Sequence, residues 1–97
     1  MKNIQGNIIN HDNSLVGEIS FEKNIKSIKR KENLKIDNYI IPGFIDLHCH
    51  GGNGFDTMEG LDSIKNMSSY HLSKGTTSLL ATTWTSTFDH IYKALDG

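Results

Sequence analysis

The spacing of apolar residues changes midway along the chain. In residues 1 to 41 they fall in short runs separated by polar turns. Ile4, Ile8 and Ile9 mark a first strand, and His11-Asp12-Asn13-Ser14 is a polar turn before a second, Leu15 to Glu22, in which Leu15, Gly17, Ile19 and Phe21 alternate. Lys23-Asn24 turns the chain again, and Ile25 and Ile28 begin a third short strand. Leu34 and Ile36 then alternate with lysine and aspartate ahead of a strand at Tyr39-Ile40-Ile41. The expectation for this part is a small antiparallel β element.

From residue 42 the pattern differs. Pro42-Gly43 leads into Phe44-Ile45-Asp46-Leu47-His48-Cys49, an apolar and β-compatible run closed by Gly51-Gly52, which reads as a buried strand. Leu61, Ile64, Met67 or Ser68, and His71 or Leu72 recur at three- and four-residue spacing, which predicts a helix, with Gly75 placed to end it. Thr76 to Thr83 is β-branched and apolar, as a second core strand requires. Phe88 onward opens a second helix with Ser86 or Thr87 as N-cap. An all-β lead followed by alternating β and α argues for an α/β chain with parallel strands and crossover helices. The division falls into a β-rich segment, residues 1–41, and a β/α segment, residues 42–97.

The candidate chemistry sits where the first of these core strands ends. Side chains alternate along a strand, so His48 and His50 share one face and Cys49 takes the other, with the two histidine Cα atoms roughly 6 to 7 Å apart. Two imidazoles so placed can converge on one ion, and neutral imidazole nitrogen suits zinc, iron and related metals. Asp46, one step deeper on that face, is a candidate partner for an imidazole N–H. A His-x-His pair is weak evidence by itself. Its position at the carboxyl end of an apolar strand strengthens it, because binding and catalytic residues gather at the carboxyl ends of parallel strands. The following glycines let the backbone bend sharply or approach a ligand closely, making Gly51, Gly52, Asn53, Gly54, Asp56 and Thr57 a candidate substrate loop. Thr82, Thr83 and Trp84 are expected near the same strand ends, where an indole can meet a sugar but more commonly packs.

Composition removes several function classes. The formal net charge of −1 leaves no global electrostatic footprint for nucleic acid or membrane. Lys26, Lys29, Arg30, Lys31 and Lys35 form a local basic run without interleaved aromatics, which reads as protection of an edge strand. One cysteine excludes an internal disulfide. The start lacks a signal-peptide core and no apolar run reaches membrane-spanning length, so a cytoplasmic protein is the default expectation. His11 and His90 read as surface residues, and His71, on a helix, as structural or exposed.

Pro42-Gly43-Phe44-Ile45-Asp46-Leu47-His48-Cys49-His50 resembles the first barrel strand of the amidohydrolase superfamily. Together with His50-Gly51-Gly52-Asn53-Gly54-Phe55-Asp56-Thr57 and Gly75-Thr76-Thr77-Ser78-Leu79-Leu80-Ala81-Thr82-Thr83, it looks like the N-acetylglucosamine-6-phosphate deacetylase family. The resemblance implies the leading part of a small β-sandwich followed by the first two β/α units of a (β/α)8 barrel. It is incomplete in 97 residues, since such a barrel takes roughly 250. It further implies a divalent metal, zinc or iron, held by His48 and His50, an amino-sugar phosphate as substrate, and a homodimer when full length. The other metal ligands, the catalytic aspartate and the phosphate-binding residues would lie beyond Gly97, so no catalytic residue is placed within this chain and the isolated chain is expected to be inactive. Two other readings stand beside it: part of another metal-dependent amidohydrolase acting on a cyclic amide or amine, and a non-catalytic binding or assembly module.

Overall fold

In the computed structural model, which describes residues 1 to 96, β1 (Lys2–Ile9) and β2 (Ser14–Phe21) pair antiparallel from Lys2 opposite Phe21 to Ile9 opposite Ser14. β3 (Ile25–Arg30) adds antiparallel to β2, with a register shift between Ser20 and Phe21. β4 (Tyr39–Ile40) adds to the far side of β1, giving the order β3-β2-β1-β4. The basic run therefore begins on an edge strand, where charge discourages pairing with another chain. Gly6, Ile8, Gly17 and Ile19 are the buried positions of this sheet, and they alternate along β1 and β2 as a half-covered sheet requires.

Two expectations for this part need correction. β4 runs parallel to β1, so the sheet is mixed and not purely antiparallel. Leu34 and Ile36 do not lie in a strand. Residues 31 to 38 instead form an irregular crossing that takes the chain from one edge of the sheet to the other. Asn7 tethers it: its side-chain amide donates to the carbonyls of Ile36 and Asn38, at 2.7 and 3.0 Å. The Asn38 carbonyl accepts from the Asn7 backbone N–H as well, at 3.0 Å, and that of Ile36 has the side-chain donor in place of a ladder.

The chain divides into two compact units, Met1–Pro42 and a second beginning at Gly43. The second unit is a β-α-β crossover. β5 (Phe44–Cys49) runs parallel to β8 (Thr76–Ala81), and α1 (Leu61–Ser73) connects them. Between β5 and α1 lies a hairpin of two-residue strands, β6 (Gly51–Gly52) and β7 (Phe55–Asp56), then one 3-10 turn at Thr57–Glu59. α1 ends at Ser73 with Gly75 beyond it at φ 103°, a conformation that costs glycine nothing. α2 (Phe88–Leu95) follows β8, with Thr87 as its N-cap accepting from the His90 N–H at 3.3 Å.

Met67, with no exposed surface, is the centre of this unit, and Cys49, Thr57 and Ala94 are buried with it. β5 itself is not the buried strand its apolar run predicts. Phe44, Ile45 and Leu47 are 56%, 69% and 70% exposed, on both faces of the strand, because β5 pairs with β8 alone among the described residues. β8 is shorter than predicted, ending at Ala81. Among the described residues no helix is long and apolar enough to cross a membrane.

Candidate metal centre

The end of β5 is built by irregular pairing. Asp46 stands opposite Leu79 and Cys49 opposite Ala81, so three steps along β5 match two along β8 and one residue is extra. The Asp46 carboxylate occupies this bulge, accepting from the His48 backbone N–H at 3.0 Å. The structure thus gives Asp46 a backbone partner on its own strand. The His50 Nδ1–H is met by the Thr82 carbonyl.

His48 and His50 do come together. Their Nε2 atoms are 2.9 Å apart, with ring centroids at 4.7 Å. Cys49, between them, points the opposite way into the core, 4% exposed, its Sγ 3.6 Å from the Gly51 carbonyl. The alternation expected of the strand survives the bulge.

The second nitrogen of His50 defines its protonation. Nδ1 lies 3.0 Å from the Thr82 carbonyl oxygen, which can only accept, so Nδ1 carries the proton and Nε2 keeps its lone pair. His48 Nε2–H then donates across the 2.9 Å gap when no ion is bound. An imidazole whose other nitrogen is hydrogen-bonded to a backbone carbonyl is in the tautomer that a metal site uses. Two donors each about 2.0 to 2.1 Å from a shared ion lie at most about 4.2 Å apart, so the observed separation is within the span of one ion. The donor set is partial: among the described residues no third His, Cys, Asp or Glu joins the pair to form a three-donor cluster.

Thr82 is the hinge pin between the two strands. Its backbone N–H donates to the Cys49 carbonyl at 2.8 Å, its hydroxyl accepts from the Cys49 N–H at 3.2 Å, and its own carbonyl holds His50. Trp84 stacks on the His50 ring, centroids 3.9 Å apart and planes 20° from parallel. The indole does not pack in the core: it is 51% exposed. Sequence placed both residues near the strand ends but gave no sign of these contacts, which depend on the register between β5 and β8.

The loop residues fall into two groups. Asn53 (φ 52°) and Gly54 (φ 84°) form the exposed two-residue turn of the β6–β7 hairpin, the positive-φ pair such a turn favours. The Asn-Gly signal was in the sequence and predicts this hairpin directly. Gly51 and Gly52 face neighbours too close for a side chain. A Cβ on Gly51 would run into the Phe55 carbonyl across the hairpin, and one on Gly52 would stand 2.5 Å from His71 Nε2. Asp56 and Thr57 support the fold. Asp56 accepts from the Met58 N–H at 2.8 Å in a capping box with Glu59, and the Thr57 hydroxyl, 3% exposed, lies 3.4 Å from the Cys49 carbonyl. His71 reaches from α1 to donate from Nε2 to the Gly51 carbonyl at 2.8 Å, so it anchors the hairpin from behind. His90 and His11 are exposed, as expected of surface residues.

A parallel β-α-β unit with paired imidazoles at a strand end is compatible with many hydrolases, and the relatives of this chain are hydrolases of one kind. The N-acetylglucosamine-6-phosphate deacetylase of Bacillus subtilis (strain 168) is 33% identical over 93 residues, which is 95% of this chain and 24% of that protein. The enzyme of the same name from Lysinibacillus sphaericus is 42% identical over 57 residues, 58% of this chain and 15% of its own. The crystal structure of N-acetylglucosamine-6-phosphate deacetylase from Thermotoga maritima matches 98% of this chain and 26% of its own, with a TM-score of 0.86 and 26% identity. No protein-family profile matches. The resemblance read from the sequence is therefore to the N-acetylglucosamine-6-phosphate deacetylases, over their amino-terminal region. The chain spans about a quarter of the length of the relatives it matches along most of its own.

Proposed function

We propose that this chain is the amino-terminal part of a metal-dependent deacetylase that hydrolyses N-acetylglucosamine 6-phosphate to glucosamine 6-phosphate and acetate. The observation that carries the reading is the His48–His50 pair, Nε2 facing Nε2 at 2.9 Å, with the tautomer of His50 set by a backbone carbonyl. Similarity to deacetylases supplies the substrate class.

In this reading His48 and His50 hold a divalent ion, zinc or iron, as part of a larger ligand set. Such an ion supplies Lewis acidity, lowering the pKa of a bound water and polarising the acetamide carbonyl. The contribution of the chain's own residues is orientation. Thr82 holds the Nδ1–H of His50, Asp46 braces the bulge that turns His48 toward it, and His71 holds the hairpin that leaves the strand end. The general base and the phosphate-binding groups belong to the part of the relatives that this chain does not span. On the same reading β1 to β4 are the start of a small β-sandwich, and β5, α1, β8 and α2 the first two β/α units of a (β/α)8 barrel. The whole protein is then a cytoplasmic homodimer of amino-sugar metabolism.

The test uses the full-length protein. His48→Ala with His50→Ala removes bound metal, read by elemental analysis, and abolishes acetate release, whereas Cys49→Ala, on the opposite face, retains both. Equal losses from all three substitutions would refute the arrangement. Acetate release by this chain alone would refute the assignment of the remaining machinery elsewhere.

A further inference from the structure

We propose that Trp84 is a positioning residue for His50, fixing the plane of its imidazole so that Nε2 is presented toward His48. The inference deepens the metal reading above and rests on it. Two restraints act on the His50 ring, and they do different jobs. The Thr82 carbonyl, 3.0 Å from Nδ1, selects which edge of the ring faces it, since a half-turn about χ2 would put a carbon there and another carbon opposite His48. One hydrogen bond does not hold the ring in that contact, because histidine χ2 is a broad, roughly two-fold torsion: the ring can swing out of it and lose the edge selection as well. The indole face at 3.9 Å and 20° removes that freedom. Trp84 follows the end of β8, is 51% exposed among the described residues, and has the His50 ring as its aromatic partner. Aromatic stacking is strong enough to bias a ring population several-fold, which is the scale a positioning contact needs.

The experiment uses the full-length protein with 15N-labelled histidine, as wild type and with Trp84→Phe, Trp84→Leu and Trp84→Met. Long-range 1H–15N spectra of the histidine rings at pH 8 read the tautomer of each imidazole, first without metal and then through a Zn2+ titration. Expected without metal is Nδ1–H for His50 and Nε2–H for His48 in wild type and Trp84→Phe. Trp84→Leu and Trp84→Met should give a mixed or exchange-broadened His50 signal with unchanged far-UV circular dichroism. With Zn2+, the His48 and His50 signals should move before those of His11, His71 and His90. The two non-aromatic variants should need about three- to tenfold more Zn2+ to reach half-shift, a range set by the loss of one stacking contact.

Unchanged His50 tautomer in both non-aromatic variants overturns the proposal, and so does Trp84→Phe behaving like Trp84→Leu. Unfolding of both non-aromatic variants would assign Trp84 a structural role and overturn it equally. If Zn2+ leaves His48 and His50 unmoved in wild type while the tautomer difference holds, the metal reading fails and the positioning role stands.

Discussion

Gly52→Ala would place a methyl carbon 2.5 Å from His71 Nε2 and 2.9 Å from its Cε1. Ordinary carbon contacts are made at about 3.5 to 4.0 Å, so one group must move. The obstruction is the end of a side chain, not backbone, and the imidazole can swing out. It then loses its 2.8 Å hydrogen bond to the Gly51 carbonyl, the contact by which α1 grips the hairpin. A hydrogen bond is worth about 0.5 to 1.5 kcal/mol net, and overpacking a tight site costs about 1 to 3 kcal/mol where the neighbours cannot yield. Because this neighbour yields, Gly52→Ala should cost about 1 to 2 kcal/mol. His71→Ala removes the same hydrogen bond and also vacates the space a methyl group would fill, and should cost about 1 to 1.5 kcal/mol. The double variant should therefore cost little more than His71→Ala alone. The coupling is then roughly 1 kcal/mol or more in favour of the pair, large enough to measure in a double-mutant cycle. Urea unfolding followed by Trp84 fluorescence reads the unit in which both residues lie, and the midpoints compare directly if the denaturant slopes agree. Additive costs would show that the imidazole does not occupy the space over Gly52, and the anchoring role of His71 would be wrong.

Gly51→Ala should be worse than Gly52→Ala, at roughly 2 kcal/mol or more, because its Cβ meets the Phe55 backbone carbonyl, which cannot move without breaking the Gly51–Asp56 pairing. A thermal melt no lower than that of Gly52→Ala would contradict this. Met67→Ala opens a cavity at a fully buried side chain, and should cost about 2 to 5 kcal/mol by urea unfolding. A loss under about 1 kcal/mol would mean the interior collapses around the gap.

What the sequence revealed and what it withheld divide along the distance between partners. β1 to β3, α1 and β8 follow from period and punctuation within a dozen residues, and all are present. The histidine pair was legible for the same reason: both rings come from one strand two residues apart, and alternation alone brings them together. The parallel seating of β4 was not, because the free edge of β1 is decided by where β2 has already paired. Exposure of β5 was not, because an apolar run reports what a strand can bury and says nothing of how many neighbours it meets. The glycines show the same division most sharply. Gly51 and Gly52 were read as points where the backbone can bend sharply or approach a ligand closely; what the sequence withheld is that a protein atom stands where each would carry a Cβ, Phe55 across the hairpin and His71 from 19 or 20 residues on. Only Asn53-Gly54, a local turn signal, announces the hairpin itself. The groups that orient His50 belong to this second class. Thr82 and Trp84 lie more than thirty residues from it and meet it because the bulge in β5 sets Cys49 opposite Ala81. If the bulge were absent, the register beyond Asp46 would slip by one residue and the Thr82 carbonyl would no longer face His50. The extra residue that Asp46 braces thus decides which atoms of β8 and its following loop can serve the pair. A strand motif can name the ligands, but their aim is a property of the paired strands.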